Sequence, residues 1–206
     1  FVDTINKNML EGNYCYYNQL TSYAFATDEA VATDFSQGDS LFIHADTLQM
    51  FTFHLNTDSV YREARAYHKV RVYRTDVQAV CDSLVFSSKD SCLTMYRDPI
   101  LWNKNQQLLG EEIRVYMNDS TIDWAHIWNQ ALSVERIDSA NYNQVSGKEM
   151  KAFFHNGEMN QVDVDGSVRL VYYPMEKDST LIGMNVSETS KLSIFLENRK
   201  LKRMVM

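Results

Sequence analysis

Apolar and polar residues alternate along several stretches of this chain, and that alternation limits the fold more than any other feature of the sequence. Successive side chains of a β-strand point to opposite faces of the sheet, so a period of two predicts a strand with one dry face. In one stretch the apolar positions are Leu41, Ile43 and Ala45, against Phe42 and His44. In a second stretch Ala66, His68, Val70 and Val72 alternate with Arg65, Tyr67, Lys69 and Arg71.

The residue composition favours an all-β fold. The 206 residues include 12 Tyr and 10 Phe but only 7 Gly and 2 Pro, and aromatic residues are favoured on a pleated, half-buried surface. Because 45% of the residues are hydrophobic, the chain has enough apolar material to fold. We expect one continuous domain over residues 1–206, in which residues 1–23 fit a loop, a short helix or an edge strand. The abrupt ends at Phe1 and Met206 lead us to expect a piece of a longer precursor.

Turn signals separate the alternating stretches. Asn156-Gly157 lies between two apolar runs and predicts a tight hairpin. Residues 55–58, 87–90 and 118–120 carry similar turn chemistry. Residues 122–135 have two interpretations, of which we favour the second: a helix, or a turn followed by a strand from His126. The helical spacing runs through Trp124, Ile127, Trp128 and Ala131.

A short motif recurs at irregular intervals: a small residue, an acid, any residue and an aliphatic residue. Starts at 45, 81, 110 and 147 give intervals of 36, 29 and 37 residues, within the range of stacked structural repeats. Such a repeat cannot bury its apolar face alone, so we expect neighbouring repeats to stack. The copies are Gly38-Asp39-Ser40-Leu41, Ala45-Asp46-Thr47-Leu48, Cys81-Asp82-Ser83-Leu84, Gly110-Glu111-Glu112-Ile113 and, in degraded form, Gly147-Lys148-Glu149-Met150.

Charge and cysteine content exclude several classes of protein. A net charge of -7 offers no basic field for phosphates, so we expect no nucleic-acid partner. Three cysteines without a CxxC pair indicate neither a disulfide framework nor a zinc site. If the turn at residues 87–90 closes a hairpin, Cys92 lies opposite about residue 86 and too far from Cys81 for a disulfide.

The sequence offers no recognisable catalytic site, and we expect a non-enzymatic protein without metal or cofactor. The five histidines lack metal-ligand spacing, and only His44 stands close to an acid, Asp46. No nucleotide-binding or nucleophile motif occurs. Asp46, Asp82 and Glu111 could form a row of carboxylates as in a glycosidase cleft, but the same phase of successive repeats more often serves structure.

The inward face of the predicted strands is the principal candidate site. Periodicity alone favours an ordinary closed core, and an open apolar trough is the alternative. The residues that we assign to this face are Leu41, Ile43, Leu48, Val70, Val72, Leu84, Phe86, Leu93, Met95, Ile100, Trp102, Ile113, Val115, Val168 and Leu170.

Taken in order, these motifs resemble the OstA/LptA-like family of periplasmic lipopolysaccharide-transport proteins over residues 24–195. The resemblance rests on the repeat acids with their aliphatic partners, on the strand at residues 66–72 and on Asp165-Gly166-Ser167-Val168. Residues 98–103 and 142–147 are similar to the larger OstA-like proteins of the Bacteroides group. Cys81 and Lys148 depart from the family's pattern, since a small Gly or Ala and an acid are usual there.

The resemblance implies an open β-jellyroll that shields the acyl chains of lipopolysaccharide or lipid A in the periplasm of a Gram-negative bacterium. It also implies end-to-end pairing of edge strands, with further transport proteins or with other copies, to form a bridge between the inner and outer membranes. Two other functions stay open. A carbohydrate-binding or structural β-sandwich of the cell envelope would expose aromatic residues, for which Trp102, Trp124 and Trp128 are candidates, and an enzyme would bring the repeat acids together.

Overall fold

The computed structural model describes residues 1–5, 7–36, 38–118, 121–156, 158–175, 180–197 and 200–206. The chain is all-β, as the sequence predicts: the described residues contain sixteen strands and no helix. The long neighbouring strands pair antiparallel. The described residues therefore contain no helix long and apolar enough to cross a membrane. Two compact units form, Phe1–Leu101 and Trp102–Met206.

Unit 1 is an antiparallel meander in the order β1-β2-β4-β5-β6-β7-β8. The short β2 and β3 share one long partner: β3 pairs with the first half of β4 and β2 with its second half. Residues 1–23 thus contain short strands at the side of the meander, which confirms the edge-strand interpretation. The strands are β1 Val2–Asp3, β2 Asn8–Glu11, β3 Tyr14–Asn18, β4 Tyr23–Asp34, β5 Leu41–Phe53, β6 Tyr61–Arg74, β7 Val77–Ser87 and β8 Cys92–Tyr96.

Unit 2 repeats this arrangement. The short β10 and β11 again share one long strand, β12, and the chain continues through β13, β14, β15 and β16 in order. The boundary between the units falls within β9, Ile100–Asn103. The strands of unit 2 are β10 Gln106–Leu109, β11 Glu112–Asn118, β12 Thr121–Arg136, β13 Tyr142–His155, β14 Glu158–Tyr172, β15 Asn185–Glu197 and β16 Lys200–Val205.

Every second long strand carries a β-bulge made of two consecutive residues with positive φ. On β4, Asp28 and Glu29 have φ of 56° and 61° and together face the single residue Asp46 of β5. A bulge of this kind bends its strand and increases the local twist. The equivalent pairs are His68–Lys69 on β6, Asn129–Gln130 on β12 and Gly166–Ser167 on β14; Arg97–Asp98 follows β8.

The bulges change which residues point inward. On a bulged strand, inward residues on either side of the bulge are four apart, as in Ile127 and Ala131, both 0% exposed. On the facing strand they are three apart, as in Ala45 and Leu48. The recurring motif found in the sequence therefore marks the strand that faces a bulge: its small first residue and aliphatic fourth residue lie inside, and its acid lies outside.

Two details of the predicted pattern are wrong. His68 lies in the β6 bulge and its side chain is 63% exposed, whereas simple alternation placed it on the inward face. The copy Gly38-Asp39-Ser40-Leu41 lies in the connection that leads into β5, apart from the bulges.

The predicted turns fall between strands. His155 pairs with Glu158, so β13 and β14 form the tight hairpin predicted at Asn156-Gly157, although Gly157 itself lies outside the described residues. Residues 119 and 120 of another predicted turn also lie outside them. The ambiguous stretch 122–135 is part of the long strand β12, so the strand interpretation is confirmed over the helix. The strand begins earlier than the predicted start at His126.

Cys81 and Cys92 are not bonded to each other, as the register argument predicts. Cys92 lies opposite Ser87, one residue from the expected position, and Cys81 lies further along β7. All three thiols are free: Cys81 is buried, and Cys15 and Cys92 are partly exposed. Burial, followed by the nearby charge of Asp82, raises the pKa of the Cys81 thiol to about 12.

We predict that Cys81 is the slowest cysteine to be alkylated in the native protein at pH 8. A thiol whose pKa is raised well above the solution pH stays protonated, and the thiolate is the reactive form. Timed iodoacetamide labelling followed by peptide mass spectrometry measures the three rates, with the urea-unfolded protein as the control. Native labelling of Cys81 at the unfolded rate would contradict this environment.

Candidate functional site

The fifteen residues assigned to the inward face differ in burial. Eight are buried: Leu48, Val70, Leu84, Met95, Ile113, Val115, Val168 and Leu170. The other seven are half-buried: Leu41, Ile43, Val72, Phe86, Leu93, Ile100 and Trp102. The inward face therefore has a closed middle and more accessible margins.

The middle of unit 1 is a row of directly paired residues from five strands. Leu84 of β7 and Met95 of β8 face each other, and each is 1% exposed. Burying side chains of this size stabilises the fold by about 1.5–3 kcal/mol each. Across the five strands the row reads Ala26, Leu48, Ala66, Leu84 and Met95.

Unit 2 has the equivalent row. Ile127 of β12 and Met150 of β13 face each other and are 0% and 2% exposed. Because such residues already contact other side chains on all sides, they present no free surface to a ligand. The complete row is Ile113, Ile127, Met150, Val164 and Leu192.

Half-buried apolar pairs lie at the two ends of the strands in unit 1. Ile43 pairs with Val72 toward the end of β6. Phe86 pairs with Leu93 beside the start of β6, on the other side of the buried row. These pairs are half-buried, so they are more accessible from solvent than the buried row between them.

The repeat acids hold the bulges that face them. Asp46 forms an ion pair with Lys69, a residue of the β6 bulge, at a distance of 3.1 Å. Glu111 accepts hydrogen bonds from both residues of the β12 bulge, Asn129 at 3.1 Å and Gln130 at 2.8 Å. Each of these carboxylates is thus engaged at a bulge.

Asp82 serves the other side of the β6 bulge. Its carboxylate lies 3.3 Å from the ring of His68 and 3.3 Å from the guanidinium of Arg97. A hydrogen bond from Ser83, reinforced by one from His68, lowers the pKa of this carboxyl. The carboxylate is therefore held in its charged form by partners at the surface.

His44 and His126 each pair with an acid on a neighbouring strand. His44 lies 3.8 Å from Glu29, a residue of the β4 bulge, rather than in a two-residue site with Asp46. His126 lies 2.8 Å from Glu149 on the neighbouring strand. Among the residues that the structure describes, no group of three or more His, Cys, Asp and Glu side chains could hold a metal ion.

An outer aromatic face, which the sequence reasoning missed, covers four strands of unit 1. Its rings lie on the side of the sheet opposite the buried row and contact one another from β3 to β6. Ring centroids are 5.8 Å apart for Tyr16 and Phe25, 5.0 Å for Tyr23 and Phe51, and 4.8 Å for Phe53 and Tyr61. The complete set is Tyr14, Tyr16, Tyr23, Phe25, Phe51, Phe53 and Tyr61.

Two of the three tryptophans lie on the outer side of unit 2. Trp124 of β12 stacks on Tyr116 of β11 at 4.1 Å with an interplanar angle of 5°. Trp128 is 47% exposed and meets His126 edge to face. Trp102, the third candidate, is half-buried on β9.

The outer aromatic face has a sequence signal: ring residues at alternate positions in neighbouring strands. Tyr14 and Tyr16, Tyr23 and Phe25, and Phe51 and Phe53 are each two apart, so each pair shares a strand face. Attention to the aliphatic phase alone hides this second face.

Comparison with protein-family models and with curated proteins finds no match to this chain. The resemblance to the OstA/LptA-like family therefore rests on the short motifs of the sequence, and membership of that family stays a prediction.

Proposed function

We propose that the protein is a non-enzymatic carrier that binds the acyl chains of lipopolysaccharide, or of a lipid like it, on its inward apolar face. The observation that carries the proposal is the pair of half-buried apolar patches at the ends of unit 1, Ile43 with Val72 and Phe86 with Leu93. They continue the buried row on the same side of the sheet. An open β-jellyroll in the periplasm is the arrangement that the family resemblance implies for such a carrier.

The closed middle of the face limits where a lipid binds. Transfer of an acyl chain from water gains about 0.8 kcal/mol for each buried methylene, so a few segments on the half-buried patches are enough for useful affinity. Deeper binding, against Leu84 or Met95, would require neighbouring strands to part, because these side chains are each 1% exposed. We therefore assign first contact with lipid to the half-buried residues of the inward set.

We predict that Val72→Asp weakens lipid binding by at least tenfold while the protein stays folded. Val72 is half-buried, so a carboxylate there keeps access to water in the free protein, but a bound acyl chain would exclude that water. The matched control is Arg71→Asp, one residue away on the exposed side of β6. Titration with lipopolysaccharide and photo-crosslinking measure binding, and circular dichroism checks the fold.

Equal binding by the folded Val72→Asp variant and the parent would contradict the proposal, as would a parent that binds no lipid. In either case the inward face would be an ordinary hydrophobic core whose outermost residues are partly exposed. Leu84→Asp is unsuitable for this test, because a carboxylate at a position 1% exposed would destabilise the whole unit.

We also propose that copies associate through their edge strands, as the bridge role requires. Within the described part of the chain, β16 pairs only with β15 and β1 only with β2. The unpaired backbone groups of such strands are a template for another strand. The outer edge of β16 carries Lys202 and Arg203, and the β1–β2 edge carries Asp3 and Glu11, so opposite charges would meet in a head-to-tail contact.

We predict that the mass of the protein in solution rises with concentration and that proline in β16 opposes this. Successive amides of a strand point to opposite sides, so one of Arg203→Pro and Met204→Pro removes an outward donor and the other removes a donor to β15. The variant that loses the outward donor should weaken association by at least tenfold. The variant that loses the donor to β15 should lower the unfolding temperature. Sedimentation velocity over a concentration series measures the mass, and an unchanging monomer mass would contradict the association.

A further inference from the structure

We propose that the outer aromatic face of unit 1 is a binding site for an oligosaccharide. The face is the set of rings on β3 to β6, and neighbouring strands are about 4.8 Å apart, so it extends roughly 15 Å across the sheet. Its accessible end lies on β3, where Tyr14 is 55% exposed and Tyr16 is 42% exposed. A surface of this length offers several adjacent ring positions to one extended ligand.

Planar polar groups lie beside the rings. Gln49 of β5 is directly paired with Phe25 on one side and with Arg65 on the other. The Arg65 guanidinium lies 4.5 Å above the Phe51 ring and donates to Glu63 at 2.6 Å. An amide, a carboxylate and a guanidinium supply both donors and acceptors, in fixed positions beside an aromatic surface.

This combination fits the chemistry of a sugar chain. One face of a pyranose ring presents C–H groups, which contact the electron-rich face of an aromatic ring, and its edge presents hydroxyls that need donors and acceptors. Tyrosine contributes both kinds of contact, since its ring is apolar and its hydroxyl is polar. The protein therefore presents rings and polar groups side by side on one face, as a sugar presents an apolar face and hydroxyl edges.

Other ligands fit this face less well. An acyl chain would cover Gln49, Glu63 and Arg65 without offering them hydrogen bonds, which costs free energy for each buried polar group. A nucleic acid would bring phosphates to a chain of net charge -7 and to a face that contains Glu63. The site also lies on the side of the sheet opposite the lipid-binding residues, so the two proposals are independent.

The test compares Tyr14→Ser and Tyr16→Ser, alone and together, with Tyr17→Ser. Tyr17 is a matched control because it is 47% exposed on the same strand but points to the other face, where it contacts Phe1. The probes are cellohexaose, chitohexaose, maltohexaose, mannohexaose and the lipid-free oligosaccharide released from lipopolysaccharide by mild acid. Calorimetry gives the affinity, and proton NMR reports shifts of the tyrosine rings.

We expect at least one probe to bind with a Kd of about 1 mM or tighter, an affinity of roughly 4 kcal/mol. The double variant should lose at least tenfold in affinity, and Tyr17→Ser should match the parent. No binding by any probe, or equal losses in the control and the double variant, would overturn the proposal. Thermal unfolding of each variant separates a lost contact from a lost fold, because a variant that keeps the parent's unfolding temperature has lost only the contact.

Discussion

The fold depends on one backbone constraint: alternate long strands carry two consecutive residues in the left-handed region. Each such residue costs about 1–3 kcal/mol unless it is Gly, or Asn or Asp, which tolerate the region better. The first residue of the pair is Asp28, Asn129 or Gly166 in three of the four strand bulges, but it is His68 in β6. Contacts such as Lys69 with Asp46 and Gln130 with Glu111 hold the bulges from outside.

How much the sequence predicts follows from what the bulges do to its pattern. Period-two alternation correctly predicts an all-β chain and places Leu48, Leu84 and Ile113 inside. A strict period of two has no place for the extra residue of a bulge, so it assigns His68 to the wrong face. In residues 122–135, Ile127 and Ala131 lie on either side of a bulge, and their spacing of four therefore looks helical in the sequence. The aliphatic pattern marks only the inward positions of each strand, so it does not reveal the outer aromatic face.

The two faces of unit 1 have different physical properties, and this difference organises the functional account. One face is closed by side chains such as Leu84 in its middle and half-open at Ile43 and Val72, so it suits an apolar chain at its margins. The other face joins aromatic rings to charged and amide groups and suits a polar ligand with apolar patches.

The central claim is that the backbone packs closely beneath the bulges of β12 and β14, and glycine replacement there tests it most directly. A Cβ at Gly147 would lie 2.6 Å from Val164 Cγ1 and 3.1 Å from the carbonyl of Asp165, and one at Gly110 would lie 2.5 Å from Ile127 Cγ2. A Cβ at Gly38 meets nothing within 4 Å, so Gly38→Ala is the control. Urea unfolding should show Gly110→Ala and Gly147→Ala less stable than the parent by about 1–3 kcal/mol, because an overpacked site must shift its neighbours. Gly38→Ala should be neutral or slightly stabilising. Equal stability of all three variants would contradict the claim that close packing under the bulges stabilises unit 2.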